Sequence, residues 1–183
     1  MQSWVALFRG INVGGHRKLP MKELAAELEE LGLREVRTYI QSGNVVFKSD
    51  ESDGRRLADR IAMSVESNHG FAPRVMVLTV DEVRAAAAAN PFKAGENASK
   101  LLHLYFLDEA PPSPDLDTMQ CLRGGRESFE LAGKVLYLHT PDGYGTSRLA
   151  ERLERLLGVA ATARNWRTVK KILELADDLR APR

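Results

Sequence analysis

The stretch Val36-Arg37-Thr38-Tyr39-Ile40-Gln41-Ser42-Gly43-Asn44-Val45-Val46-Phe47 decides how the first half of the chain folds. Its two ends are rich in β-branched and aromatic residues and its centre, Gln41 to Asn44, is turn chemistry, so it predicts a β-hairpin. Toward the N-terminus, Leu24, Leu28 and Leu31 recur at helical spacing behind Pro20, with Glu23, Glu27, Glu29 and Glu30 around them and Gly32 as a stop. Before that helix, Trp4 to Phe8 is a short run of strand formers opening into the loop Arg9-Gly10-Ile11-Asn12-Val13-Gly14-Gly15. Toward the C-terminus, Leu57, Ile61 and Val65 mark a second amphipathic helix ending near Asn68-His69-Gly70, and Arg74 to Leu78 reads as a strand. The order is βαββαβ, the split βαβ arrangement of a ferredoxin-like sandwich. A trailing helix runs from about Val80 through the alanines 85–89 and stops at Asn90-Pro91.

The second half repeats this order. Leu101 to Leu107 reads as a strand, a proline-rich turn leads to a short helix near Leu116 to Leu122, and Ser128 to Leu131 with Val135 to His139 form a hairpin around Ala132-Gly133-Lys134. Leu149, Leu153, Leu156 and Leu157 mark a strong helix, Ala160 to Arg164 a strand, and Val169, Ile172, Leu173 and Ala176 a last helix. The expected fold is α/β of the α+β type, two tandem ferredoxin-like βαββαβ(α) units over residues 1–92 and 93–183. Element order is duplicated without an obvious residue-level repeat.

Composition bounds the function. The 183 residues are 44% hydrophobic and 28% charged, which suits a packed soluble chain and excludes disordered and collagen-like classes. No apolar run is long enough for a membrane span, and the start, Met1-Gln2-Ser3-Trp4, has no basic region followed by an apolar core, so a cytoplasmic protein without a membrane partner is expected. A formal charge of +1 gives no global attraction to nucleic acid. The single cysteine, Cys121, excludes an intrachain disulfide and cysteine-rich metal sites and fits a reducing compartment.

Three polar clusters stand out. The first is the loop Arg9 to Lys18, whose backbone N–H groups and following helix suit an anion, although it has neither Gly-x-Gly-x-x-Gly nor a P-loop ending. Its glycines are equally explained by a crowded backbone, and Arg9 by a carboxylate partner. The second is the hairpin tip with Tyr39, Gln41, Ser42 and Asn44, in which the turn alone accounts for Gly43 and Asn44. Tight connections would place these two clusters at opposite ends of the sheet, unless the long loop folds back along its edge. The third joins Gly143-Tyr144-Gly145-Thr146-Ser147 to Arg164-Asn165-Trp166-Arg167-Thr168. There Thr146 or Ser147 suits one helix cap and Asn165 or Thr168 another, while Trp166 between two arginines offers a stacking face as readily as a core anchor.

Catalytic patterns are sparse. His16, His69, His103 and His139 are scattered without metal-ligand spacing, no Gly-x-Ser-x-Gly elbow exists, and His103 and His139 fall in expected strands as structural histidines. No metal and no cofactor are implied, and whether the chain is an enzyme stays open. An RNA-binding sheet would carry several aromatics on its central strands, whereas the third strand offers only Phe47.

Phe8-Arg9-Gly10-Ile11-Asn12-Val13-Gly14-Gly15, followed by Met21 and Leu24 and then by Thr38 to Phe47, resembles the domain-of-unknown-function 1697 family of bacterial proteins. Asn90-Pro91-Phe92, Gly143-Tyr144-Gly145 with Ser147, and Thr162-Ala163-Arg164-Asn165-Trp166-Arg167-Thr168-Val169 resemble it too, with Ala163 where threonine would also fit. The resemblance implies a small cytoplasmic protein of ferredoxin-like units and supplies no activity. Its motifs coincide with the polar clusters.

The expected function is binding of a small anionic ligand, a nucleotide or phosphorylated metabolite, at strand-end loops. Arg9 and Arg164 would supply charge, and the loop of Gly10, Gly14 and Gly15 its N–H groups. Asn12, Ser42, Asn44 and Asn165 would supply hydrogen bonds, with Tyr39, Tyr144 and Trp166 lining the site. The alternatives are single-stranded nucleic-acid binding on a sheet face, and a structural or homo-oligomeric protein with no ligand.

Overall fold

A computed structural model describes residues 1–12, 14, 17–92 and 99–179. Gly15 and His16 of the glycine loop, and most of the connector expected at Phe92 to Lys100, lie outside the described residues. Among the described residues the chain is an α+β fold with two four-stranded antiparallel sheets and six α-helices. The elements follow the expected order: β1 (Gln2–Arg9), α1 (Met21–Glu30), β2 (Arg34–Tyr39), β3 (Asn44–Ser49), α2 (Gly54–His69), β4 (Arg74–Thr79) and α3 (Val80–Ala88). After them come β5 (Leu102–Leu107), α4 (Leu116–Leu122), β6 (Ser128–Ala132), β7 (Val135–His139), α5 (Arg148–Leu157), β8 (Ala161–Asn165) and α6 (Trp166–Asp178). The sheets have the same plan, β2-β3-β1-β4 and β6-β7-β5-β8. Among the described residues no helix is long and apolar enough to cross a membrane.

Contacts gather Met1–Ala85 with Lys170–Arg183 into one compact unit and Ala86–Val169 into another. In the first unit, Trp4, Ala6 and Phe8 alternate along β1 toward the core, where they meet Val45 and Phe47 of β3 and the helical stripes Leu24, Leu28 and Leu57, Ile61, Val65. Burial of each large apolar side chain contributes about 1.5–3 kcal/mol. Phe47, the one aromatic expected on a nucleic-acid face, is fully buried in this core. Pro20 stands one position outside α1, as its cap residue, and supplies no side-chain hydrogen bond there. Gly70 ends α2 in the left-handed conformation at φ 73°.

The loop after β1 and the β2–β3 hairpin sit at the same end of the sheet, contrary to the expectation for tight connections. β3 runs antiparallel to both β1 and β2, so β1 and β2 point the same way and the exit of β1 lies beside the hairpin. Leu7 is opposite Asn44, and Phe8 donates its N–H to the Gly43 carbonyl at 2.8 Å.

In the second unit, Tyr105 and Leu107 of β5 pack with Leu136 and Leu138 of β7 under Met119 of α4 and Leu149, Leu153, Leu156 and Leu157 of α5. Ser147 caps α5, its hydroxyl accepting from the Ala150 N–H at 3.0 Å. Asn165 does the same for α6 through Thr168 at 2.9 Å, so one of each pair of expected caps is used. Phe92, after the Asn90-Pro91 stop, stacks on His139 with ring centroids 5.9 Å apart.

Candidate functional site

The first-unit cluster is assembled by two asparagines. Asn12 takes a left-handed backbone at φ 55°, a conformation asparagine tolerates better than most residues. Its amide Nδ2 donates to the carbonyls of Leu19 at 2.9 Å and Gln41 at 2.8 Å, and its Oδ1 accepts from the Leu19 N–H at 2.8 Å. One side chain therefore closes the glycine loop on itself and ties it to the hairpin tip. Asn44, almost wholly buried, donates to the Tyr39 carbonyl at 3.0 Å and the Ser42 hydroxyl at 3.2 Å, which shapes the turn. Gly43 must be glycine: at φ 74°, an added Cβ would lie 2.5 Å from Phe8 Cβ and 2.6 Å from Ile11 Cδ1.

With loop and tip tied together, Asn12, Lys18, Pro20, Met21, Lys22, Thr38 and Gln41 line an open groove of about 490 Å³. Lys18 and Lys22 are exposed there, and among the described residues neither is held in an ion pair. Gly10 and Gly14 are exposed at φ 70° and 60° in the same loop, and Gly15 lies outside the described residues. Arg9 is placed differently. Strand alternation sets it, half-buried, on the face turned away from the core of Trp4, Ala6 and Phe8, with Arg74 opposite it in register and the Leu7, Asn44 and Tyr39 row beside it. Ser42 is exposed at the tip.

In the second unit the expected residues fall on two faces. Asn165 is in register with His103 on the face covered by α5, whereas Arg164 pairs with Leu104 on the opposite face. Arg164 is buried and donates from Nη1 to the Thr162 hydroxyl at 3.2 Å and the Ala163 carbonyl at 2.8 Å; burial brings its guanidinium down to about 10, still protonated near neutrality. Trp166 is half-buried at the start of α6.

Tyr144, in a short 3-10 turn over Tyr144–Thr146, stacks on His103 with centroids 3.8 Å apart, and its hydroxyl lies 2.6 Å from that of Tyr105. Burial lowers His103 to about 4, against a smaller opposing effect of a hydrogen bond to the Leu101 backbone, so the ring is neutral near pH 7. Its Nδ1 is buried without a hydrogen-bond partner. Burial also pushes the Tyr105 phenol up, with Tyr144 and the Glu127 carboxylate adding to the effect. Glu127 is itself buried and accepts from the Gly124 N–H at 2.9 Å.

The expected residues are thus divided: Asn12 and Ser42 meet at the loop and hairpin tip, Arg9 lies on the neighbouring sheet face, and Arg164 and Asn165 fall on opposite faces of the second sheet. Sequence reasoning missed Lys22 in the first unit and His103, Tyr105 and Glu127 in the second. The usable signal was period-two alternation, which puts His103 and Tyr105 on one face of β5.

A family described as protein of unknown function (DUF1697) has a sequence model that matches residues 1–137. The chain belongs to the DUF1697 family. The match spans the glycine loop, the hairpin and Asn90-Pro91-Phe92, while the motifs around Tyr144 and Arg164 lie beyond it. Among solved structures, this DUF1697 chain is similar to the conserved bacterial protein SP0830 from Streptococcus pneumoniae. The two share 26% sequence identity and superpose with a TM-score of 0.70 over 95% of this chain and 98% of that one. No curated protein matches.

Proposed function

We propose that this DUF1697 protein binds a small anionic ligand, a nucleotide or phosphorylated metabolite, in the groove beside the β2–β3 hairpin. The observation that carries the reading is the Asn12 tie. By holding Gln41 against the glycine loop it places Lys18, Lys22, Thr38 and Gln41 around one groove. Lysine ammonium groups are compact charges suited to phosphate, and Thr38 and Gln41 add neutral hydrogen-bonding groups. The groove also reaches Pro20 and Met21, where α1 begins without a side-chain cap, so its first-turn N–H groups add to the favourable field for an anion.

In this reading Asn12 and Asn44 are positioning residues, Gly10 and Gly14 allow the loop its course, and Ser42 adds a hydroxyl at the tip. Arg9 and Tyr39, on the neighbouring sheet face, contribute to the local field and to the support of the hairpin. Tyr144, Arg164, Asn165 and Trp166 belong to the second sheet and its flanking segments and take no part in this groove. We read the chain as a tandem of two ferredoxin-like runs of elements, over 1–92 and 93–183, on the strength of the matching sheet plans; these runs are defined by element order and differ from the contact-defined units in where the last helix is assigned. The exposed, lone Cys121 supports a reducing cytoplasmic setting.

A thermal-shift screen of the full chain against nucleotides and phosphorylated sugars tests the reading, because a ligand bound only by the folded state raises Tm with concentration. The expected result is a saturable rise that Lys18→Gln and Lys22→Gln together abolish. No rise for any anion, or a rise unchanged in the double variant, removes the groove as the site.

A further inference from the structure

Ile40 is the residue an anion site leaves unexplained. It is a β-branched residue in left-handed backbone at φ 50°, a strained combination, and it is 49% exposed, so burial of its side chain offsets little of that cost. The chain on either side of it is tied down. The Tyr39 carbonyl accepts from Asn44, and the Gln41 carbonyl, one peptide beyond that of Ile40 itself, accepts from Asn12. The hairpin tip is therefore built to present an isoleucine to solvent one position from Gln41, which lines the groove. The groove matches this in character. It offers far more room than a tetrahedral oxyanion fills, and between Lys18 and Lys22 its wall is the exposed ring of Pro20 with an edge of Met21, whose side chain is otherwise buried in the core.

Resting on the anion-site reading above, we propose that the ligand is an amphiphilic anion, a phosphate or carboxylate group carried on a compact apolar body. Lys18 and Lys22 hold the charged end, and the apolar body lies over Pro20 and the exposed edge of Met21 and extends to the hairpin tip, where Ile40 covers it. Ile40 then sets specificity against free inorganic anions and against ligands that are polar throughout.

Calorimetric titration of the full chain with inorganic phosphate, phenyl phosphate and benzoate tests this at one pH and salt concentration. Phenyl phosphate is expected to bind about tenfold more tightly than inorganic phosphate, the gain from burying one ring face. Benzoate binding beside phenyl phosphate assigns the site to the anion-plus-ring chemistry in general, and benzoate failing narrows the charged end to phosphate. Ile40→Asn, which keeps a residue tolerant of left-handed backbone, is expected to bring phenyl phosphate down to the affinity of inorganic phosphate with no loss of Tm. Equal binding of the two phosphates overturns the amphiphilic ligand and leaves the anion site standing. Binding of none of the three overturns the anion site itself. Unchanged affinity in Ile40→Asn removes Ile40 from the ligand contact.

Discussion

The side-chain amide of Asn12 donates to the carbonyl oxygen of Gln41 at 2.8 Å, across 29 residues of sequence. The same amide group also donates to and accepts from Leu19. Replacement by glycine keeps the left-handed backbone accessible and removes only the amide, so Asn12→Gly isolates the tie. Loss of these partly buried bonds is expected to cost about 1–3 kcal/mol. Urea denaturation reads this as a lower midpoint at unchanged slope, and an unchanged midpoint would show that the tie is not made in solution.

Gly43 and Gly70 form a matched pair for separating strain from crowding. Both are left-handed, at φ 74° and 73°, but a Cβ on Gly43 would collide with Phe8 and Ile11 whereas one on Gly70 meets nothing within 4 Å. Gly70→Ala is expected to cost about 1 kcal/mol from backbone strain alone. Gly43→Ala adds overpacking against two core side chains and is expected to cost about 2–4 kcal/mol in total. Equal losses in the two variants would contradict the close approach of the hairpin to β1.

His103 gives the fold a pH dependence of definite sign. Its folded value, about 4, lies below the ordinary 6.5, so between these limits the unfolded chain binds more protons and stability rises with pH. The contribution is complete above the ordinary histidine range and is lost as pH falls toward 4, amounting to roughly 3 kcal/mol. Chemical denaturation of the wild type and His103→Gln from pH 4 to 7 measures it. The wild type should show the steeper rise over that window, and parallel profiles would contradict a buried neutral imidazole.

Much of this architecture was legible because long-range packing agrees with local pattern. The spacing of Leu24 and Leu28, the turn at Gln41 to Asn44 and the leucines of α5 each had one economical reading, and each formed that element. The site was less legible for reasons that are also physical. An asparagine in a loop offers the same donors to a ligand and to a distant carbonyl, and only the fold shows that Asn12 and Asn44 spend theirs internally. Adjacent residues on a strand face opposite ways, so Arg164 and Asn165, grouped by sequence proximity, are divided by the sheet. His103 gained its partner Tyr144 from a segment distant in sequence, which no local spacing announces.

His69 and Glu27 test how the two helices of the first unit are held. His69, in the last turn of α2, lies with Nε2 2.5 Å from Glu27 Oε1 of α1, and both side chains are 14% exposed. The second carboxylate oxygen, Oε2, is buried without a hydrogen-bond partner, so the histidine contact carries much of the compensation for burying this group. His69→Ala strands the carboxylate and is expected to cost about 1–3 kcal/mol. Glu27→Leu with His69→Ala replaces the pair by an apolar contact and should recover part of that loss, since removing both members of a buried polar pair costs less than removing one. A double-mutant cycle built from Glu27→Leu, His69→Ala and the combination, read by urea midpoints, is therefore expected to show a coupling of about 1 kcal/mol or more. Strict additivity would mean that α1 and α2 are held by Leu24, Leu28, Leu57 and Ile61 alone.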